Sequence, residues 1–241
     1  MTIAVHYPED PTTGAPRMTS APAIWMVAAQ VRRQLVGGTP NAINAELLMD
    51  AIDGVAINGY RFDVVWDSDH PVHDDAGQPV FGVCETDHDT PGQAYVSVNG
   101  PLLAGRPDLL VSTAAHELGH VIFDVPAGYR RYRAVTSSAG ALLANERVSE
   151  WRANEFMGAL LAPAFQLHRE LLRLAQSERL RLVRAPNHGR PGCPVVCVGD
   201  RPDAFAGVVA ALAERFNVSD SFVDVRLRRY GLVADQQGAR S

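Results

Sequence analysis

Ala115-His-Glu-Leu-Gly-His120, set in the longer run Leu110 to Phe123, is the stretch whose reading decides the fold. Its His-Glu-x-x-His pattern makes sense on an α-helix, where residues four apart lie one turn apart on the same side. His116 and His120 can then present two imidazole nitrogens to one tetrahedral metal, for which zinc is the usual occupant. Glu117 follows the first histidine and sits beside the open coordination position. A carboxylate there can take a proton from a water that the metal has acidified, which is the chemistry of a metal-assisted hydrolase.

The surrounding residues predict a helix independently of the motif. Pro107 and Asp108 suit a first helical turn. At about 100° per residue, Thr113, His116, Glu117 and His120 fall in one polar sector. Leu110, Val111, Ala114, Leu118, Val121 and Ile122 fall in the opposite one. The expectation is a buried amphipathic helix with a ligand-bearing polar stripe.

Two histidines and a water leave a catalytic zinc short of one protein ligand. The best source is NERVSEWRANEFMGALLAP, residues 145–163, which reads as a second helix. Glu146, Glu150 and Asn154 are spaced by four and share a face, so either glutamate would complete a two-histidine, one-carboxylate site. The competing reading of the same spacing is a solvated helix face paired with Arg147 or Arg152.

AHELGHVIF (115–123), followed by a helix reading E-x-x-A-N-x-F and then L-L-x-P, resembles the ImmA/IrrE family of metallopeptidases, which is gluzincin-like. The resemblance implies that His116 and His120 bind zinc, that Glu117 is the catalytic glutamate, and that Glu150, four residues before Asn154, is the third ligand. Glu146 and Asn154 then stand as supporting groups around the site. QAYVSVNG (93–100) is similar to the strand and Asn that precede the active-site helix in that family. Met157 and Ala162 depart from the family's usual Ala and Met, apolar exchanges that repack a site without abolishing it.

The family further implies a protein substrate, typically a helix-turn-helix transcriptional repressor. No repressor segment is evident ahead of the peptidase part, so the substrate is expected to be separately encoded. The alternative is a regulatory module that binds a partner protein or DNA around a structural zinc, without hydrolysis. The group that would stabilise an oxyanion is not fixed by the pattern; Tyr129, Tyr132 and His188 are the candidates. Residues 126–140, rich in arginine and tyrosine, read as a long connection that is either a substrate-facing loop or a disordered insertion.

The rest of the chain frames this reading. Its 241 residues can bury a sizeable core, and a net charge of −5 advertises no nucleic-acid or membrane field. No apolar run is long enough to span a bilayer and the first twenty residues lack a signal-peptide pattern, so a cytoplasmic protein with no membrane partner is expected. Cys84, Cys193 and Cys197 form no strong metal or disulfide motif, and the acidic run 67–75 lacks calcium-loop spacing.

Residues 1–22 read as a flexible tail. Helices are expected over 24–36 and 41–52, the second started by Thr39 with Pro40, and strands over 55–57, 60–66, 80–85 and 94–98. The fold class is therefore α+β: a zincin-like domain over 23–175 with a small mixed sheet and one zinc per chain, and a mainly helical extension over 176–241. In that extension Val208, Leu212 and Phe216, then Phe222, Val225 and Leu227, mark a helix-turn-helix-like pair. Arg226, Arg228 and Arg229 could reach phosphates, but packing against the core is the preferred expectation over DNA binding.

Overall fold

The computed structural model describes residues 1–17, 20–37, 42–87, 89–128, 131–134, 144–187 and 190–234. These divide into two compact units, Met1–Leu161 and Ala162–Ser241. The class is α+β, with one mixed sheet in each unit.

The first unit is built on six strands in the order β1-β2-β3-β5-β4-β6. They are β1 (Thr2–Val5), β2 (Gly54–Ile57), β3 (Tyr60–Asp67), β4 (Val80–Asp87), β5 (Thr90–Val98) and β6 (Arg131–Ala134). β1 runs parallel to β2 and β3 parallel to β5, while the β2/β3, β4/β5 and β4/β6 pairs are antiparallel. Asn58 and Gly59 link β2 to β3 at φ 51° and 95°. A two-residue hairpin needs positive φ at both positions to match strand twist, and Asn-Gly supplies it at least cost.

The flexible tail expected over 1–22 is corrected by this sheet. β1 pairs along its whole length with β2, and Ile3 and Val5 are fully buried. Tyr7 follows it inward: its hydroxyl donates to the carbonyl of Ile122, and its ring packs 5.5 Å from that of Phe123.

Helix α1 (Ala21–Val36) buries Ile24, Val27, Ala28 and Val31, the i, i+3, i+4, i+7 pattern of one helical face. Helix α2 (Ala45–Ala51) starts later than expected. Its N-cap is Asn44, whose side chain accepts from Leu47 N at 2.8 Å, and not Thr39, which lies outside the described residues. Helix α3 (Pro107–Phe123) is buried on every side from Val111 onward, lying on β2, β4 and β5 and against α2 and α4 (Ala144–Leu161). Asn99 ties the approach to α3: its Nδ2 donates to the carbonyls of Val72 (3.1 Å) and Val80 (2.9 Å), and its Oδ1 accepts from Leu102 N.

The second unit begins directly after α4, ahead of the boundary expected at 175/176. Its first helix, α5 (Ala164–Ser177), packs on α6 (Pro202–Phe216), α7 (Asp220–Arg229) and β8. The extension is not only helical: β7 (Leu182–Asn187), β8 (Arg190–Cys197) and β9 (Val233–Ala234) form a three-stranded sheet. Asn217, at φ 55°, ends α6, and Ser219 caps α7 by accepting from Phe222 N. Val208, Leu212, Phe216 and Leu227 are buried as expected, whereas Val225 is exposed. Arg226 is also buried, which removes it from the three arginines that the DNA-binding alternative would use for phosphates.

Candidate active site

The site is made where α3 and α4 come closest, and two small residues set that closeness. A Cβ at Gly119 would lie 3.0 Å from Ala153 Cα and 3.3 Å from a ring carbon of Phe156, so glycine lets α4 seat this deeply without displacing a neighbour. The helices are further joined by Phe123 and Phe156, edge to face at 5.7 Å. Glu150 stands one turn before Ala153 on α4, and this contact carries it to the histidines of α3.

Three side chains converge as a result. Glu150 Oε2 lies 3.3 Å from His116 Nε2, Glu150 Oε1 lies 3.3 Å from His120 Nε2, and the two Nε2 atoms are 3.1 Å apart. Bonds of about 2.05 Å to a tetrahedral zinc place neighbouring ligand atoms about 3.3 Å apart. The observed spacings are close to the edges of such a tetrahedron, and the donor set of two imidazoles and one carboxylate suits zinc. His116, His120 and Glu150 thus form a group able to hold a metal ion. Glu146, one turn earlier on α4, is not in the converging set, and Asn154 Nδ2 donates to the backbone carbonyl of Glu150 at 2.8 Å.

Glu117 is fully buried next to this group. The sheet presses against it from the other side: a Cβ at Gly82 on β4 would stand 3.0 Å from Glu117 Oε1 and 2.9 Å from Thr113 Cγ2. Glycine at position 82 therefore leaves room for the carboxylate under the strand.

Charge in the metal-free chain follows the same layout. Burial on its own would keep His120 neutral, but hydrogen bonds to Asp124 and Glu150 and the nearby Glu117 outweigh it and push its pKa up to about 9. Burial would raise the Glu150 carboxyl, yet His116 and His120 hold it well below the usual carboxylate range.

One group escaped the sequence reading. Asp124, at the end of α3 and 1% exposed, accepts a hydrogen bond from His120 Nδ1 at 2.6 Å, with Ser149 and Arg152 bonded to the same carboxylate. Its signal was local: Asp124 is four residues beyond His120 and so one turn along the same face. Tyr129 and His188 lie outside the described residues, and Tyr132 belongs to β6. Among the described residues no second cluster of metal-ligating side chains occurs, and no helix is long and apolar enough to cross a membrane.

Residues 111–228 match the peptidase family described as the IrrE N-terminal-like domain. The match starts on α3 ahead of His116 and runs into α7, so it takes in both helices that carry the His116, His120 and Glu150 group. A search of curated proteins returns no match to the chain.

Proposed function

Starting from an ImmA/IrrE-type metallopeptidase domain over residues 111–228, we propose that the protein is a zinc-dependent endopeptidase that cuts a protein substrate, a separately encoded helix-turn-helix repressor. The observation that carries this reading is the convergence of His116, His120 and Glu150 beside the buried Glu117. A zinc ion held by the three would acidify a water and polarise the scissile carbonyl.

The rest of the reaction belongs to the chain's own residues. Glu117, fixed between α3 and β4, takes the proton from the attacking water and hands it to the departing amine. Its burial under Gly82 keeps it out of bulk water, so a proton held there is passed to the substrate and not lost to solvent. Glu150 is the most exposed of the four, with 22% of its side chain accessible against 2% and 0% for His116 and His120. The substrate therefore approaches from the α4 side. The repressor as substrate rests on the family resemblance alone, and cleavage would relieve the repression it exerts.

The test joins metal content to cleavage. Wild-type protein and Glu117→Gln are assayed for bound zinc by elemental mass spectrometry and for cutting of purified helix-turn-helix repressors by intact-mass analysis. About one zinc in each, with cleavage slowed by roughly 10²- to 10⁴-fold in the variant, supports the proposal. A variant that cuts at the wild-type rate, or a wild-type chain that takes up no zinc, defeats it.

A further inference from the structure

Asp124 bonds to both helices of the site while touching none of the space between the three converging ligands. Its Oδ2 accepts from His120 Nδ1 at 2.6 Å and from the hydroxyl of Ser149, and its Oδ1 accepts from Arg152 Nη2 at 3.1 Å. Ser149 immediately precedes Glu150 and Arg152 follows it by two positions, so the residues gripping Asp124 flank the third ligand on α4. All four groups are buried or nearly so: Asp124 at 1%, His120 at 0%, Ser149 at 0% and Arg152 at 8% exposure.

A carboxylate this deep is retained only when its oxygens are bonded, and here each oxygen is. An imidazole that donates from Nδ1 leaves its Nε2 lone pair free to point elsewhere, and the His120 Nε2 points at Glu150 and His116. The bond to α3 fixes one ligand and the bonds to α4 fix another. A single carboxylate thus couples the orientation of one ligand to the axial register of the other's helix.

Resting on the metal-site reading above, we propose that Asp124 is the positioning residue of the site: it holds His120 with Nε2 directed at the metal and, through Ser149 and Arg152, sets the register of α4 that brings Glu150 to the same point.

A purely structural role as a helix-end tie would alter stability without altering the metal's surroundings, and this sets the test. Zinc affinity by chelator competition, the visible absorption of the cobalt(II)-substituted protein, and the melting of the metal-free protein are measured for wild type, Asp124→Asn and Ser149→Ala. Asp124→Asn should weaken zinc binding about 10- to 100-fold and change the cobalt ligand-field bands. Ser149→Ala should act in the same direction but less, because the His120–Asp124 bond remains. A folded Asp124→Asn with wild-type zinc affinity and cobalt bands overturns the proposal, even if its melting point falls. Should Asp124→Asn fail to fold, wild-type affinity and bands in Ser149→Ala overturn it equally. A wild-type chain that binds neither metal defeats the metal-site reading itself, an outcome distinct from normal binding that ignores Asp124.

Discussion

Gly119→Ala is the substitution that asks whether the approach of α3 to α4 makes the site. The added Cβ would stand 3.0 Å from Ala153 Cα and 3.3 Å from both Ala153 Cβ and a Phe156 ring carbon. Carbon atoms pack at about 3.5–4.0 Å, so α4 must give way by a few tenths of an ångström. Glu150 travels with it, whereas metal–ligand distances tolerate only about 0.2 Å. Against this, alanine favours a helix interior over glycine by about 0.8–1.0 kcal/mol, and overpacking costs about 1–3 kcal/mol. The first unit should lose about 0–2 kcal/mol in the metal-free state, and zinc affinity should fall about tenfold or more, some 1.4 kcal/mol.

Urea unfolding of the metal-free protein and zinc competition read the two effects separately. Gly207→Ala is the internal control: Gly207 lies on α6 and a Cβ there meets nothing within 4 Å. It should stabilise the second unit by about 0.5–1 kcal/mol. A Gly119→Ala protein that gains stability as Gly207→Ala does, and binds zinc as tightly as wild type, would refute the reasoning.

Two further perturbations test the frame around the site. Asn99→Ala removes the side-chain donor from the carbonyls of Val72, which keeps the N–H of Val80, and of Val80, and the side-chain acceptor from the N–H of Leu102; a loss of about 1–3 kcal/mol in the first unit is expected by urea midpoint, and a loss below about 0.5 kcal/mol would mean that water substitutes for the side chain. In the second unit, burial pushes the Glu170 carboxyl up, but Arg173, Arg215 and Arg169 together outweigh it and hold its pKa below the usual 4.5. Its stabilisation is then full above pH 4.5 and is lost as pH falls through the folded value. Glu170→Gln should cost about 1–2 kcal/mol near neutrality and progressively less as pH falls below 4.5; a deficit that does not shrink with acid would argue against the ion pairs.

The helix α3 and its stripe were legible because the information is local: four-residue spacing decides which side chains share a face. Spacing alone left Glu146 and Glu150 tied, as both lie on one face of α4. What separates them is how deeply α4 seats on α3, fixed by Gly119 meeting Ala153, a contact between residues far apart in sequence. β1 escaped for a similar reason. Four residues ahead of a segment rich in Pro and Thr carry almost no periodicity, and their strand character comes from pairing with β2 some fifty positions away. The hairpin of β7 and β8 was hidden by the Pro, Gly and Cys content of residues 185–197, which reads as loop until strands are seen to pair. Asp124 was readable in principle, but it stands just past the end of the motif and only Ser149 and Arg152 disclose its purpose.

Tyr7 gives the chain an unexpected boundary. The family match begins at residue 111, yet the carbonyl of Ile122, near the end of the helix it begins on, is held by a hydroxyl from residue 7, and Phe123 is packed by the same ring. The stretch matched by sequence and the stretch that packs as a unit around this helix are therefore different lengths of chain. The first hundred residues supply five of the sheet's six strands and the Tyr7 hydroxyl behind this helix. Excision at the edge of similarity would keep every residue of the chemistry and discard the floor on which it stands.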